Sequence, residues 1–148
     1  MGALSNRNDN VTRQALALAQ RFPDSTLRRN GKLLIWRGRM QPTPISRTYL
    51  VEVRYQYGWI PKTRVVTRLR TRTGKSLPHV WHHQHRVLCL HQADDWSPRL
   101  LIANTIVPWA AEWLLFYEVW LVTGEWDGGG DWPPVSDQTA RREVPTER

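Results

Sequence analysis

Every histidine of the chain and its single cysteine fall in one stretch, "LPHVWHHQHRVLCLH", Leu77 to His91. Five imidazoles and the Cys89 thiol within thirteen positions admit three kinds of chemistry. The first is zinc binding. His79-x2-His82, His83-x-His85 and Cys89-x-His91 supply the ligand types that zinc prefers, and Asp94 and Asp95 are the only carboxylates close by. Structural zinc sites usually pair their ligands across an ordered spacer, and no second cluster follows here. The second is nucleophilic catalysis. A free thiol titrates near about 8.5 and becomes reactive where neighbouring cations or a helix N-terminus favour the thiolate; Cys89 has histidines on both sides. The third is no chemistry at all: a buried cysteine in "VLCL", a common structural role.

The elements that must position this stretch are legible on both sides of it. Val11 to Phe22 has helical spacing, with Val11, Ala15, Leu18 and Phe22 on one face, Asn10 as the N-cap and Pro23-Asp24 as the stop. Three strands follow. "KLLIWR" (32–37) is a short apolar run. "RTYLVEVRYQ" (47–56) alternates, with Tyr49, Val51, Val53 and Tyr55 on one face and Glu52, Arg54 and Gln56 on the other. "TRVVTRLRT" (63–71) puts Arg64, Arg68 and Arg70 on its wet face, after a turn at "YGWIP". Downstream of Cys89, Ser97 and Pro98 form a helix-entry signature. Pro108 fits the first turn of a second helix capped near Asn104 or Thr105. That helix is apolar nearly all round from Trp109 to Val122, so it is expected to be buried on more than one side, and Gly124 ends it. The order predicts an α+β fold with helices packed on an antiparallel meander. One domain is expected over 1–126, followed by a flexible Gly/Pro-rich, polar tail over 127–148.

Charge is unevenly spread. Residues 1–78 carry 16 Lys/Arg against 3 Asp/Glu, and residues 79–148 carry 5 against 10. A basic half favours anionic partners, although alternating strands with wet arginines also explain it. The nine tryptophans run from Trp36 to Trp132 and mostly lie in the acidic half, away from the arginines, which suits helix packing better than nucleic-acid stacking. One cysteine excludes an internal disulfide. The N-terminus lacks a signal-peptide core, and the apolar run at 109–122 falls short of the roughly 20 residues of a membrane span. A cytoplasmic protein is expected.

Order and spacing carry a resemblance. "PHV" places His79 ten residues before Cys89, "LCL" surrounds the cysteine, and Trp96-Ser97-Pro98 follows seven residues on. This is similar to the active-site segment of ubiquitin-conjugating enzymes, and the element order matches their fold. Together with "PTPISRTYLVEVRY" and "NTIVPWAAEWLLFYEVWLVTGEWDGGG", it resembles the ubiquitin-conjugating-enzyme-like proteins of CBASS, the bacterial cyclic-oligonucleotide anti-phage systems, over about 41–130. The resemblance implies a transthiolation enzyme in which Cys89 accepts, as a thioester, the C-terminal carboxyl of the cGAS-like nucleotidyltransferase of the same operon, with His79 as the second catalytic residue. It implies no metal and no cofactor, and neither a membrane nor a direct nucleic-acid partner is expected. Where ubiquitin-conjugating enzymes have an oxyanion-supporting Asn two residues after the His, this chain has Trp81. The donor is therefore unassigned among His79, His83 and backbone amides near Cys89.

Further roles follow from that implication. Asp94 and Asp95 can orient an acceptor amine, and histidines 82, 83, 85 and 91 can bias Cys89 toward the thiolate. At 148 residues there is no room for an ATP-using activating domain, so a short operon type is expected. Charging of Cys89 then falls to a separate activating enzyme or to direct reaction with the nucleotidyltransferase. The alternative is a non-catalytic regulator that docks the nucleotidyltransferase through the arginine-rich meander, with Arg64, Arg68 and Arg70 as the contacts.

Overall fold

A computed structural model describes residues 2–81, 86–91 and 93–128. The elements run α1 (Gly2–Arg21), β1 (Thr26–Asn30), β2 (Leu33–Met40), β3 (Tyr49–Tyr55), β4 (Lys62–Val65) and α2 (Ile106–Thr123), with single 3-10 turns at Ala93–Asp95 and Ile102–Asn104. The sheet is antiparallel in the order β1-β2-β3-β4. This is the α+β class expected, with both helices on one face of a meander.

The alternation in β3 decides which face is covered. Tyr49, Val51, Val53 and Tyr55 are buried, and Trp36 lies opposite Val53 on the same side. α1 closes one end of this face. Tyr55 donates its hydroxyl to Asn10 Oδ1 at 2.6 Å, and Phe22 packs on Trp36 at 5.6 Å between ring centroids. α2 closes the other end, where Tyr49 meets Tyr117 edge-on at 6.3 Å and donates its hydroxyl to Glu118 at 2.7 Å. The Trp36 indole lies over Gly38; a Cβ there would come within 2.3 Å of the ring, so only glycine fits. α2 buries Ala110, Trp113, Leu114, Tyr117 and Trp120 and stops at Gly124, which takes φ +79° and donates its N–H to the Trp120 carbonyl. By length and composition, Ile102–Thr123 is apolar enough to cross a membrane, longer than the run read from sequence. In this fold its buried face packs as the core helix.

Four expectations are corrected. α1 begins at Gly2, so Asn10 lies inside the helix; its side chain bridges Tyr55 to the Pro98 carbonyl instead of capping. β1 was unforeseen because "TLRRN" is a polar edge strand with no apolar alternation, although Gly31-Lys32, with Gly31 at φ +60°, forms its two-residue hairpin turn onto β2. The third predicted strand stops at Val65, so Arg68 and Arg70 lie beyond β4. Ser97-Pro98 starts no helix. The carbonyls of Pro98, Arg99 and Leu100 are taken instead by Asn10, Arg13 and Gln14 of α1, and the Ile102 N–H by Gln14 Oε1 at 2.9 Å. Backbone groups satisfied by side chains gain nothing from becoming helical. The expected tail lies outside the described residues beyond Gly128.

Candidate functional site

The histidine–cysteine stretch is built on short antiparallel bridges. Val80 bridges Leu88, and Arg64 at the end of the sheet bridges Val87. The Trp81 N–H donates to the Val87 carbonyl at 2.8 Å, and the Leu88 N–H donates to the Thr63 carbonyl at 2.8 Å. Leu77, Val80 and Leu88 are buried and anchor both strands of this ribbon in the core. Residues 82–85 lie outside the described residues, and with them His82, His83 and His85.

His79 is the keystone of the ribbon. It is 5% exposed and takes φ +48°, a left-handed conformation uncommon for a residue with a side chain. Its carbonyl accepts two hydrogen bonds, from the Cys89 N–H at 2.8 Å and from Trp113 Nε1 at 3.1 Å. Its ring stacks on Trp126, 4.9 Å between centroids and 19° from parallel. Trp126 also contacts Trp113 and Phe116, and its buried Nε1 has no hydrogen-bond partner among the described residues. His79 therefore fixes the cysteine through the main chain, with its ring in the core. Sequence reasoning missed Trp126, which follows the helix stop and gives no periodic signal.

Cys89 is a free thiol of intermediate burial. Burial pushes it up to about 11 from an ordinary 9.0, because a low-polarity surrounding disfavours the thiolate. This is opposite in direction to the expected thiolate bias. The amides of Leu88 and Cys89 are both already bonded, so neither serves an oxyanion without giving up its carbonyl. His91 packs its ring on Trp109 of α2 at 5.4 Å. Asp94 and Asp95 are exposed on the 3-10 turn that follows. Among the described residues no group of three or more His, Cys, Asp or Glu is placed to hold a metal ion.

Residues 14–133 match the sequence family described as Type II CBASS E2 protein. The chain belongs to this family. Its role is thus a ubiquitin-conjugating-like one within CBASS, and its α+β architecture agrees with that assignment. No curated protein matches the chain.

In this CBASS E2 protein the arginines proposed for docking are not one group. Arg64 is tied into the sheet through Glu52, whereas Arg68 and Arg70 are exposed on the segment after β4. Glu52 is fully buried and bonded by Arg37, Arg54 and Arg64 at 2.7 to 2.9 Å. Burial alone would raise its carboxyl, but the three guanidiniums outweigh this and hold it at about 2. A surface cleft of about 300 Å³ lies elsewhere, between α1, Tyr57 and the Pro98-Arg99 turn, and no described residue of 77–91 lines it.

Proposed function

We propose that this CBASS E2 protein is an acyl carrier that forms a thioester between Cys89 and the C-terminal carboxyl of the cGAS-like nucleotidyltransferase, then passes it to an amine. In the first step the Cys89 sulfur bonds to the acyl carbon and the leaving thiol of a separate activating enzyme departs, taking up a proton. In the second an amine attacks, the amide forms, and Cys89 leaves as a thiol. The observation that carries this reading is the placement of the chain's only cysteine, partly buried and main-chain-fixed to His79, in a ubiquitin-conjugating-like fold.

Within that reading His79 is a positioning residue. Asp94 and Asp95, exposed five and six residues after Cys89, suit the orientation of an incoming ammonium as it loses its proton. The oxyanion donor is unassigned among His79, His83 and backbone amides near Cys89. The reaction is placed in the cytoplasm, where a lone thiol stays reduced.

The thiol held protonated by burial favours a second reading, a non-catalytic regulator of the nucleotidyltransferase. A Cys89→Ser chain, co-expressed with the nucleotidyltransferase and its activating enzyme, separates the two. The carrier forms an ester that survives thiol reductant. A covalent adduct that persists unchanged in Cys89→Ala would remove the carrier reading, as would full anti-phage protection by that variant.

A further inference from the structure

The sheet face turned away from both helices is strongly cationic. The register places Arg37, Glu52 and Arg64 in one row across three strands, Arg28, Ile35, Arg54 and Lys62 in the next, and Arg39 beside Leu50 in a third. That is six cations against one carboxylate. Three of the six are not loose surface charges. Arg54 and Arg64 each bond Glu52 through Nε, and Arg37 through Nε and one terminal nitrogen. The side chains of Arg37, Arg54 and Arg64 nevertheless remain 42%, 48% and 42% exposed. A buried carboxylate thus orients three guanidinium forks, with terminal N–H groups left for a further acceptor. Such forks match carboxylates in a bidentate way, and held in place they lose less entropy on binding.

We infer that this face docks an acidic, amphipathic protein segment. Charge complementarity supplies the sign. The half-buried Ile35 between Arg28 and Arg54, Leu50 beside Arg39 and Leu33 one row beyond Ile35 supply apolar contacts that a peptide's alternate side chains can use. No aromatic ring stands on these rows, so the stacking platform of single-stranded nucleic-acid binders is missing. The partner's carboxylates pair with the forks, at a spacing set by strands about 4.8 Å apart. Docking here does not depend on Cys89 chemistry.

The test is fluorescence anisotropy on the full chain, with a labelled twelve-residue peptide of repeating Glu-Glu-Leu and labelled oligothymidylate of equal charge. Arg28, Arg39 and Lys62 do not touch Glu52, so the triple variant R28E/R39E/K62E leaves the buried carboxylate paired. Peptide binding weakened at least tenfold in that variant, and oligothymidylate bound more weakly than the peptide by the wild type, support the docking face. Absent peptide binding, equal binding by the triple variant, or oligothymidylate bound as tightly as the peptide overturns it. Cys89→Ala retains the peptide binding, so a failed transfer reaction and a failed docking face read out separately.

Discussion

The carbonyl of His79 and the amide of Cys89 are joined at 2.8 Å, and that single main-chain bond sets where the thiol stands. The same carbonyl holds Trp113 of α2, so the cysteine's position is referred to the core helix. Because His79 sits at φ +48°, the bond depends on a residue that tolerates the left-handed region. Asn does so and β-branched residues do not. His79→Val is expected to lower stability by about 1–3 kcal/mol more than His79→Asn. Urea denaturation of both variants checks this; equal losses would show that the backbone conformation is not what matters at this position.

Trp126 covers the His79 ring from the chain's return after α2. Trp126→Ala removes the stack and opens space beside Trp113, with an expected loss of about 3–5 kcal/mol. Trp126→Phe, which keeps a ring on His79 and discards the indole N–H, is expected to recover more than half of that loss. Thermal melts of the two variants, compared with the wild type, decide it. A phenylalanine no better than alanine would mean that the ring contact contributes nothing.

Cys89 is predicted to titrate high. At pH 7 a thiol with a pKa of about 11 is thiolate in roughly one molecule in ten thousand. Its alkylation by iodoacetamide should therefore rise about tenfold per pH unit from 7 to 10. The sign of the linkage runs the same way: the folded chain keeps a proton that the unfolded chain loses near 9, so this contribution to stability fades between 9 and about 11. An alkylation rate that levels off below pH 9 would place the thiol in a different environment.

Glu52 predicts acid behaviour. Its folded-state pKa of about 2 lies below the ordinary 4.5, so its contribution is complete above pH 4.5 and is lost as pH falls toward 2. Glu52→Gln should cost up to about 3 kcal/mol at pH 7, less whatever solvent screens at the half-exposed arginines, and should flatten stability across that acid window. Stability measured by denaturant at pH 7, 4.5 and 3 reads both effects. An unchanged pH slope in the variant would rule Glu52 out as the titrating group.

The fold class was legible because its signals are local. The alternation from Tyr49 to Tyr55, the stop at Gly124 and Pro108 in a first turn each need only a few neighbours to decide them. The failures at Ser97-Pro98, Glu52 and the His79–Cys89 relation involve distant partners. Nothing near Ser97-Pro98 says that Asn10, Arg13 and Gln14, over 80 residues away, will take the carbonyls a helix would have used. Glu52 reads as a wet residue of an alternating strand, yet cross-strand arginines bury it. Cys89 and His79 were found by their spacing, whereas their relation, carbonyl to amide with the ring turned into the core, depends on a bridge that spacing does not specify.

Gln14 turns that lesson into a measurement. It is fully buried, donates to the Leu100 carbonyl at 2.8 Å and accepts from the Ile102 N–H at 2.9 Å. Gln14→Leu strands both groups and is expected to cost about 2–4 kcal/mol. Equilibrium unfolding of Gln14→Leu beside Gln14→Glu, which keeps one acceptor, checks the assignment. A leucine variant as stable as the wild type would contradict it.

Intact mass under non-reducing conditions, after co-expression with the nucleotidyltransferase and an activating enzyme, tests the carrier role most directly. The account predicts a species at the summed mass of the two chains less one water, lost on hydroxylamine treatment and absent from Cys89→Ala. No such species in the wild type, or one that resists hydroxylamine and forms equally well in Cys89→Ala, contradicts it.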